Sequence, residues 1–190
     1  MKRAEQKEKR RQEILAAGLD LFIRKGYAAT RTADVANAVG MSEGLLFHYF
    51  ETKEKLYLAL LQTAANGKDN VFELKGLSPI KFFEETAKTI LNYIAKEPFA
   101  AKLFVLMNRA QYEAALSEQV KEYLMRRKDI DYSVNLIQEG QKDGSIRAGD
   151  PVALATAFFM AIQGIAEHIA RHPELPVPNP EWIVDIIRNK

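Results

Sequence analysis

The chain has 190 residues, of which 47% are hydrophobic and 27% are charged, and it contains no cysteine. This composition is typical of a globular protein, and the lack of cysteine excludes a disulfide scaffold or a thiolate metal site. No apolar run approaches the roughly 20 residues of a membrane-spanning helix. The charged N-terminus also lacks the apolar core of a signal peptide. We therefore expect a cytoplasmic protein without membrane contact, built as two small helical domains or one elongated one.

The net charge is only +2, but positive charge is concentrated near the N-terminus. The first 60 residues carry eleven Lys and Arg against eight Asp and Glu. Within residues 1–11, six basic residues outnumber the two acidic residues, Glu5 and Glu8. The basic residues are Lys2, Arg3, Lys7, Lys9, Arg10 and Arg11. Such a segment either follows DNA phosphates or a minor groove, or is a solvated tail. The sequence leaves both interpretations open.

The first predicted helix runs from about Lys7 to Lys25, and Gly26 ends it. Its apolar residues recur at spacings of three and four, which predicts one buried stripe. The stripe consists of Ile14, Leu15, Gly18, Leu19 and Phe22.

A second amphipathic run covers residues 34–39, with Val35, Ala36 and Val39 on one side. Gly40 follows directly and supplies the left-handed conformation that closes a helix. Ser42 is placed to cap the next helix, so residues 40–42 form a three-residue turn. This is the layout of a helix-turn-helix, whose second helix lies in the major groove of DNA.

The second helix of this motif is predicted over residues 43–50, of which half are aromatic or histidine. Leu46 and Phe50 are four residues apart and are expected to point inward. Gly44 costs the helix about 1 kcal/mol relative to alanine, but it lets the backbone approach a base edge.

The helix that follows is expected to begin with Thr52 as its N-cap. The charge of Lys53 and the free amides of that helix then converge on one phosphate. The start of the earlier helix is left open, since either Thr30 or Thr32 can cap it. The candidate DNA-binding residues are Thr30, Thr32, Ser42, Glu43, Gly44, Leu45, Phe47, His48, Tyr49 and Lys53.

Residues 26–56 resemble the N-terminal domain of TetR-type (tetracycline-repressor-like) transcriptional regulators. Arg31 departs from the family pattern, where Thr or Ser is usual, and so does Thr32, where an apolar or hydroxyl residue is common. The positions that match are Gly26, Tyr27, Thr30, Val35, Ala36, Gly40, Ser42, Gly44, Leu46, Phe47, Tyr49, Phe50, Thr52, Lys53, Glu54 and Leu56.

The resemblance implies an all-α protein of about nine helices. Residues 1–52 are expected to form the helix-turn-helix DNA-binding domain, and residues 53–190 a helical domain for effector binding and dimerisation. It further implies a homodimer that represses transcription from a palindromic operator and is released when a small molecule binds.

Helical patterning continues to the end of the chain. A fourth helix is expected from Lys53 to about Ala65, followed by a loosely structured connection over residues 67–76. Proline at the first helical position marks most later helices. The start signals are Ser78-Pro79, Glu97-Pro98, Ser117, Asp150-Pro151 and Asn179-Pro180. The segment from Ser117 to Gly144 carries one apolar face, formed by Val120, Leu124, Val134 and Ile137.

The run from Val152 to Ile169 and the last helix from Trp182 are more apolar than one core-facing stripe requires. Packing demand and the resemblance together predict a four-helix dimer interface, formed by residues 151–171 and 180–190 of each copy. Two recognition helices in successive major grooves then require a palindromic operator.

Aromatic and methionine side chains of the middle helices are candidates for an effector pocket. Such residues usually pack the core, so this prediction depends on a cavity being present. A pocket of this kind favours a hydrophobic or aromatic effector of low net charge. The candidates are Phe82, Phe83, Phe104, Met107, Tyr112, Tyr123, Phe158 and Gln163.

His168 and His172 are four residues apart on one helix, a spacing that allows two imidazoles to share a metal. A third ligand is missing, and histidines also favour the carbonyl end of a helix, so we predict no metal and no cofactor. The sequence lacks a glycine-rich phosphate loop, a cysteine nucleophile and a hydrolase elbow, which argues against an enzyme. The alternative is a helical small-molecule carrier that no longer binds DNA, since the Glu43 carboxylate repels phosphate unless it accepts from a cytosine amine.

Overall fold

The computed structural model describes residues 3–66, 74, 76–125 and 129–190, which form ten α-helices and no strand. The first four are α1 (Arg3–Lys25), α2 (Thr32–Ala38), α3 (Glu43–Phe47) and α4 (Lys53–Asn66). The next three are α5 (Pro79–Lys96), α6 (Pro98–Ala110) and α7 (Glu118–Met125). The last three are α8 (Asp129–Lys142), α9 (Pro151–Arg171) and α10 (Pro180–Val184).

The all-α prediction is confirmed, and the predicted helix starts are found where a capping residue precedes a proline. Asp150 accepts a hydrogen bond from the Ala153 amide at 2.8 Å, and Asn179 accepts one from the Glu181 amide at 3.0 Å. The expected count of nine helices becomes ten in the described ranges, because residues 117–144 contain two helices, α7 and α8. Most of the predicted connection at 67–76, namely residues 67–73 and 75, lies outside the described residues.

Helices α1 to α4 surround one hydrophobic cluster, which we call the N-terminal core. Helix α1 buries the predicted stripe, and Gly18 lets it approach α4, since a Cβ there would lie 3.0 Å from Leu56. The N-terminal core also takes in residues of α6, the turn after it and α7, so the predicted boundary at residue 52 does not separate the two halves of the hydrophobic packing. The contributed residues are Leu103, Leu106, Met107, Ala110, Leu116 and Val120.

A second cluster, the C-terminal core, lies among α5, α6, α8, α9 and α10. Its centre is aromatic: the ring of Phe83 lies 5.3 Å from that of Phe82 and 5.0 Å from that of Phe158. The edge-to-face geometry of these pairs is the preferred one for buried rings. The C-terminal core is therefore held by specific ring contacts as well as by aliphatic packing.

Helix α9 is the most apolar helix described. An 18-residue window within its 21 residues has a mean hydropathy of 1.5, so the helix meets the length and composition of a membrane span and the prediction that no run approaches that length is wrong. One side packs into the C-terminal core through Phe158, Ile162 and Ala166. The opposite side is exposed and carries Val152 and Met160. Helix α9 is thus a core helix with a second, uncovered apolar face.

Gly140 provides a stability test of this packing. A Cβ at Gly140 would lie 2.5 Å from Ile146 Cδ1 and 3.0 Å from Pro79 Cβ. We expect Gly140→Ala to lower the free energy of unfolding by about 1 kcal/mol, because overpacking outweighs the gain in helix propensity. The matched control is Gly44→Ala, where a Cβ meets nothing within 4 Å. Urea unfolding at equal protein concentration measures both, and equal or greater stability of Gly140→Ala would contradict the close approach.

Candidate DNA-binding surface

The predicted turn between α2 and α3 is confirmed in its hydrogen bonds. Gly40 has a φ of 63°, and its amide donates to the Asn37 carbonyl at 3.1 Å. The Met41 amide donates to the Ala36 carbonyl at 3.0 Å, which completes a Schellman motif. Ser42 then caps α3 by accepting from the Leu45 amide at 3.2 Å. The chain therefore leaves α2 and enters α3 through a fully bonded turn.

The start of α2 corrects the sequence analysis, because neither candidate threonine caps it. Thr30 is buried, and its hydroxyl donates to the Gly26 carbonyl at 2.7 Å. Arg31 occupies the cap position in an extended conformation, and its amide donates to the Asp34 carboxylate at 3.4 Å. Thr32 is the first residue of the helix. Thr30 holds the end of α1, so its side chain is withdrawn from the surface predicted to meet DNA.

Helix α3 ends at Phe47, earlier than the predicted Phe50. The amides of His48 and Tyr49 donate to Leu45 and Leu46 respectively, three residues back, which tightens the last turn. Leu46 and Phe50 are buried, as predicted. Tyr49 is half-buried and packs against the N-terminal core, so it presents less surface than predicted. The other predicted residues of this segment are exposed, namely Ser42, Glu43, Gly44, Leu45, Phe47 and His48.

Two large apolar side chains on α3 face outward, although the protein has an adjacent core to receive them. Leu45 is 44% exposed and Phe47 is 42% exposed. Gly44 lies between the cap and these residues, and a Cβ on it would meet no atom within 4 Å. Neither packing nor a positive φ within the chain requires glycine at this position. Together these residues form a small apolar and polar surface around a bare stretch of backbone.

The carboxylate of Glu43 is engaged inside the motif. The Thr32 hydroxyl donates a short hydrogen bond to it, which joins the first residue of α2 to the first residue of α3. A carboxylate at this position also interacts favourably with the positive end of a helix. The negative charge that favoured the carrier alternative therefore has a partner in the protein.

The basic groups around α3 are held in defined positions. Lys53 Nζ donates to the Tyr27 carbonyl at 2.8 Å and lies 4.2 Å from the centroid of that residue's ring. Thr52 caps α4 as predicted, by accepting from the Lys55 amide at 3.1 Å. The guanidinium of Arg11 lies 5.2 Å from the ring centroid of Phe50. From the sequence, Arg11 is recognisable only as part of a basic segment, because the cation–π contact depends on tertiary packing.

From Arg3 onward that basic segment is part of α1, while Lys2 lies outside the described residues. Near α2, Lys25 Nζ lies 2.9 Å from Asp34 Oδ2. The hydrogen bond from Lys25, with help from the Arg31 amide, holds the pKa of Asp34 below its usual value. Asp34 therefore stays ionised and partly offsets the positive charge beside α2.

The predicted effector-pocket residues are brought together only in part. Phe82, Phe83 and Phe158 are buried in the C-terminal core, while Phe104 and Gln163 are half-buried. Met107 lies in the N-terminal core, because it faces the opposite side of α6 from Val105.

Tyr112 is 81% exposed in the turn after α6 and lines no interior site. The side chain of Tyr123 lies outside the described residues. The structure adds a polar candidate that no sequence pattern indicates: the hydroxyl of Thr86 is buried and has no hydrogen-bond partner among the described residues.

The rings of His168 and His172 have centroids 5.3 Å apart, and His172 Nδ1 lies 3.5 Å from Glu174 Oε1. Within the described part of the chain, no three His, Cys, Asp or Glu residues are grouped to hold a metal ion. The carbonyl end of α9 carries both imidazoles, with His172 in the capping position.

A capped turn, a short projecting helix and a supporting three-helix core define a helix-turn-helix DNA-binding protein. The family described as "Bacterial regulatory proteins, tetR family" matches residues 14–60, which covers this whole motif. Residues 14–60 therefore form a helix-turn-helix domain of the tetR family of bacterial regulatory proteins.

Named transcriptional regulators are similar to this chain over most of its length. It is 27% identical over 165 residues to the transcriptional repressor KstR2 of Rhodococcus jostii, covering 80% of this chain and 76% of that protein. It is also 27% identical over 176 residues to the regulator RutR of Escherichia coli K12, covering 87% and 78%. Among solved structures, MbdR of Azoarcus sp. CIB superposes with a TM-score of 0.71 at 22% identity, over 92% of this chain and 95% of MbdR.

The structure of AibR in complex with isovaleryl coenzyme A and operator DNA superposes with a TM-score of 0.67 at 18% identity, covering 93% of this chain and 94% of AibR. These likenesses extend beyond the helix-turn-helix, so the second half of the chain also shares the fold of these regulators.

The different positions of the two threonines give a second stability test. We expect Thr30→Val to lower the free energy of unfolding by about 1 kcal/mol, since a buried hydrogen bond is lost. Thr32→Val makes the same replacement of a hydroxyl by a methyl group, but at an exposed contact. It should change the free energy of unfolding by less than about 0.5 kcal/mol. Denaturant unfolding measures the free energy of unfolding of both variants. Equal losses of stability would show that Thr30 is not buried as described.

Proposed function

We propose that the protein is a transcriptional repressor that binds a palindromic operator as a homodimer and is released by a small, largely apolar effector. The observation that carries this proposal is the outward face of α3. Packing does not require a glycine at position 44, and the side chains of Leu45 and Phe47 are exposed. They match what a base edge and a thymine methyl group require.

In this proposal the residues around α3 have different roles in DNA binding. Gly44 and Leu45 approach the bases, while Ser42, Phe47, His48 and Thr32 line the approach to the major groove. Lys53, Tyr49 and Arg11 lie beside this helix and contact phosphates, which positions the protein without reading sequence. Thr30 is omitted because it is buried. Glu43 aligns α2 with α3 through its bond to Thr32.

The effector site is placed in the C-terminal core, near Phe82, Phe83 and Phe158. The unpartnered hydroxyl of Thr86 supplies one polar contact in an otherwise apolar setting. This combination selects a molecule that is mainly apolar and has one hydrogen-bonding group. AibR, whose structure contains isovaleryl coenzyme A and operator DNA, shows that a protein of this fold binds both kinds of ligand at once.

Polar contacts connect the two cores and provide a route by which an effector changes DNA affinity. Arg109 on α6 donates to the Ile23 carbonyl at the end of α1, at 2.8 Å, and lies 3.6 Å from Glu167 on α9. Lys102 on α6 pairs with Asp20 on α1 at 2.7 Å. A shift of α6 or α9 therefore changes how the end of α1 is held, and α1 supports α2 and α3.

No catalytic role is part of this proposal, and binding to DNA places the protein in the cytoplasm. The carrier alternative predicts no sequence-selective DNA binding and no steep dependence on salt. Enrichment of bound genomic fragments at two salt concentrations distinguishes the repressor from the carrier. A regulator selects a palindrome whose affinity falls steeply as salt rises.

The fragment enriched in that experiment allows a test of Gly44. We expect Gly44→Ala to weaken binding by roughly 10- to 100-fold, because a methyl group holds the backbone away from the base edges. Its folding stability should be unchanged or higher, which separates lost contact from lost fold. The control is Asn92→Ala, an exposed position on α5 far from α3. Full affinity of Gly44→Ala would refute the assignment of this surface.

A second variant tests the connection between the cores. We expect Arg109→Gln to weaken DNA binding by roughly 2- to 30-fold without altering dimerisation, since the end of α1 loses an anchor. The control is Lys121→Gln, which removes the same charge from a pair confined to α7. Fluorescence anisotropy with the enriched fragment gives the affinities. Equal affinities of the two variants would show that Arg109 does not couple the cores.

A further inference from the structure

The carboxylate of Glu43 is exposed, and only one of its two oxygens is engaged within the described residues. The Thr32 hydroxyl donates to Oε1, and among the described residues the Glu43 side chain has no other hydrogen bond and no ion pair. A carboxylate accepts hydrogen bonds at both oxygens. The second oxygen, Oε2, is therefore available to a donor that comes from outside the protein.

Glu43 lies at the edge of the outward face of α3. Successive residues of an α-helix are about 100° apart around its axis, so Gly44 lies about 160° from the buried Leu46 and at the centre of that face. Glu43 and Leu45 flank this centre on opposite sides, and the bond to Thr32 puts Glu43 on the side of α2. The bare backbone of Gly44 allows a close approach to the bases, which brings the neighbouring carboxylate within reach of them.

The position of Glu43 along α3 also favours contact with a base. It is the first residue of this helix. In a helix-turn-helix, the N-terminal residues of the second helix are those that contact base edges. Its Cα–Cβ bond tilts toward the same end of the helix. Because phosphate repels a carboxylate, Glu43 contributes to DNA binding only if a base donates a hydrogen bond to it.

The major groove presents two kinds of amine that can donate to a carboxylate, adenine N6 and cytosine N4. The adenine amine lies between two acceptors, its own N7 and O4 of the paired thymine, and both repel a carboxylate. The cytosine amine has an acceptor on one side only, which is O6 of the paired guanine. A carboxylate in the groove therefore selects cytosine over adenine.

We propose that Glu43 reads one cytosine in each half-site of the operator by accepting a hydrogen bond from its N4 amine through Oε2. Thr32 is the positioning residue, because its hydroxyl holds Oε1 and orients the carboxylate before DNA binds. A side chain that is already held loses less conformational entropy on binding. This inference rests on the repressor of the proposed function and names a base that its operator contains.

Selection from a library of random duplexes gives the base preference of the full-length protein. We expect the wild type to select a palindrome with a cytosine in each half-site, and to bind it roughly 10-fold more tightly than the same duplex with adenine there. Glu43→Gln should reverse this preference, since glutamine forms a bidentate pair with adenine N6 and N7.

The matched control is Glu51→Gln, which removes the same charge from an exposed position just after α3. Its ratio of the two affinities should stay within about twofold of the wild-type ratio, because charge alone carries no base preference.

The DNA side of the contact is tested with the unmodified protein. N4-methylcytosine still pairs with guanine, but its methyl group replaces the amine hydrogen that faces the major groove. We expect this base at the selected position to weaken wild-type binding roughly 10-fold. Glu43→Ala lacks the acceptor and should bind the methylated and unmethylated duplexes within about twofold of each other.

The positioning role of Thr32 has its own variants. Thr32→Val should reduce the preference for cytosine over adenine from roughly 10-fold to roughly 3-fold, because the carboxylate is no longer oriented. Thr32→Ser keeps a hydroxyl and should restore the wild-type preference. An unchanged preference in Thr32→Val would refute the positioning role.

The outcomes distinguish this inference from the proposed function. Circular dichroism confirms that each variant is folded. If the wild type and Glu43→Gln select one palindrome with the same preference at every position, the inference is overturned and the proposed repressor stands. If the folded wild type selects no palindrome, both are overturned.

Discussion

The DNA-facing geometry depends on how a helix of five residues is held in place. A helix as short as α3 is unstable alone, because nucleation costs more than its few hydrogen bonds return. Leu46 and Phe50 fix it to the N-terminal core, and Ser42 satisfies an amide at its start. With those two side chains turned toward the core, the residues at other angles around the helix face away from it. The exposure of Leu45 and Phe47 is thus a consequence of anchoring α3 by one narrow side.

Helix α6 belongs to both hydrophobic cores, which is the structural basis for regulation. Leu103 and Met107 face the N-terminal core, whereas Ala101 and Val105 face the C-terminal core. Tyr57 on α4 lies in the first of these, where burial raises its pKa above the usual value. Close-packed elements of this kind respond to a displaced neighbour by shifting as units. In the proposed function, an effector among the phenylalanines of the C-terminal core would displace α6 before the DNA-binding helices.

Local signals in the sequence were sufficient for the motif and insufficient for the pocket. The closing role of Gly40 and the capping roles of Ser42 and Thr52 depend on neighbours within five residues, so pattern alone predicted them. The burial of Thr30 depends on the Leu21 carbonyl, nine residues earlier in α1, and the exposure of Tyr112 depends on where α6 ends. Neither is encoded in local spacing. Local spacing also does not show which core Met107 packs into, because that depends on how α6 is rotated about its axis.

The charge distribution around α3 explains why the DNA-binding surface of one copy is not enough for tight binding to DNA. Lys25 is paired with Asp34, and Lys53 is held by the carbonyl and ring of Tyr27, so each offers phosphate less than a free charge would. With a net charge of only +2, one copy gains little from counterion release. Linking two copies rigidly makes the second contact nearly intramolecular and multiplies the affinity. In the proposed function, the modest charge around α3 therefore makes DNA affinity depend on the pairing of two copies.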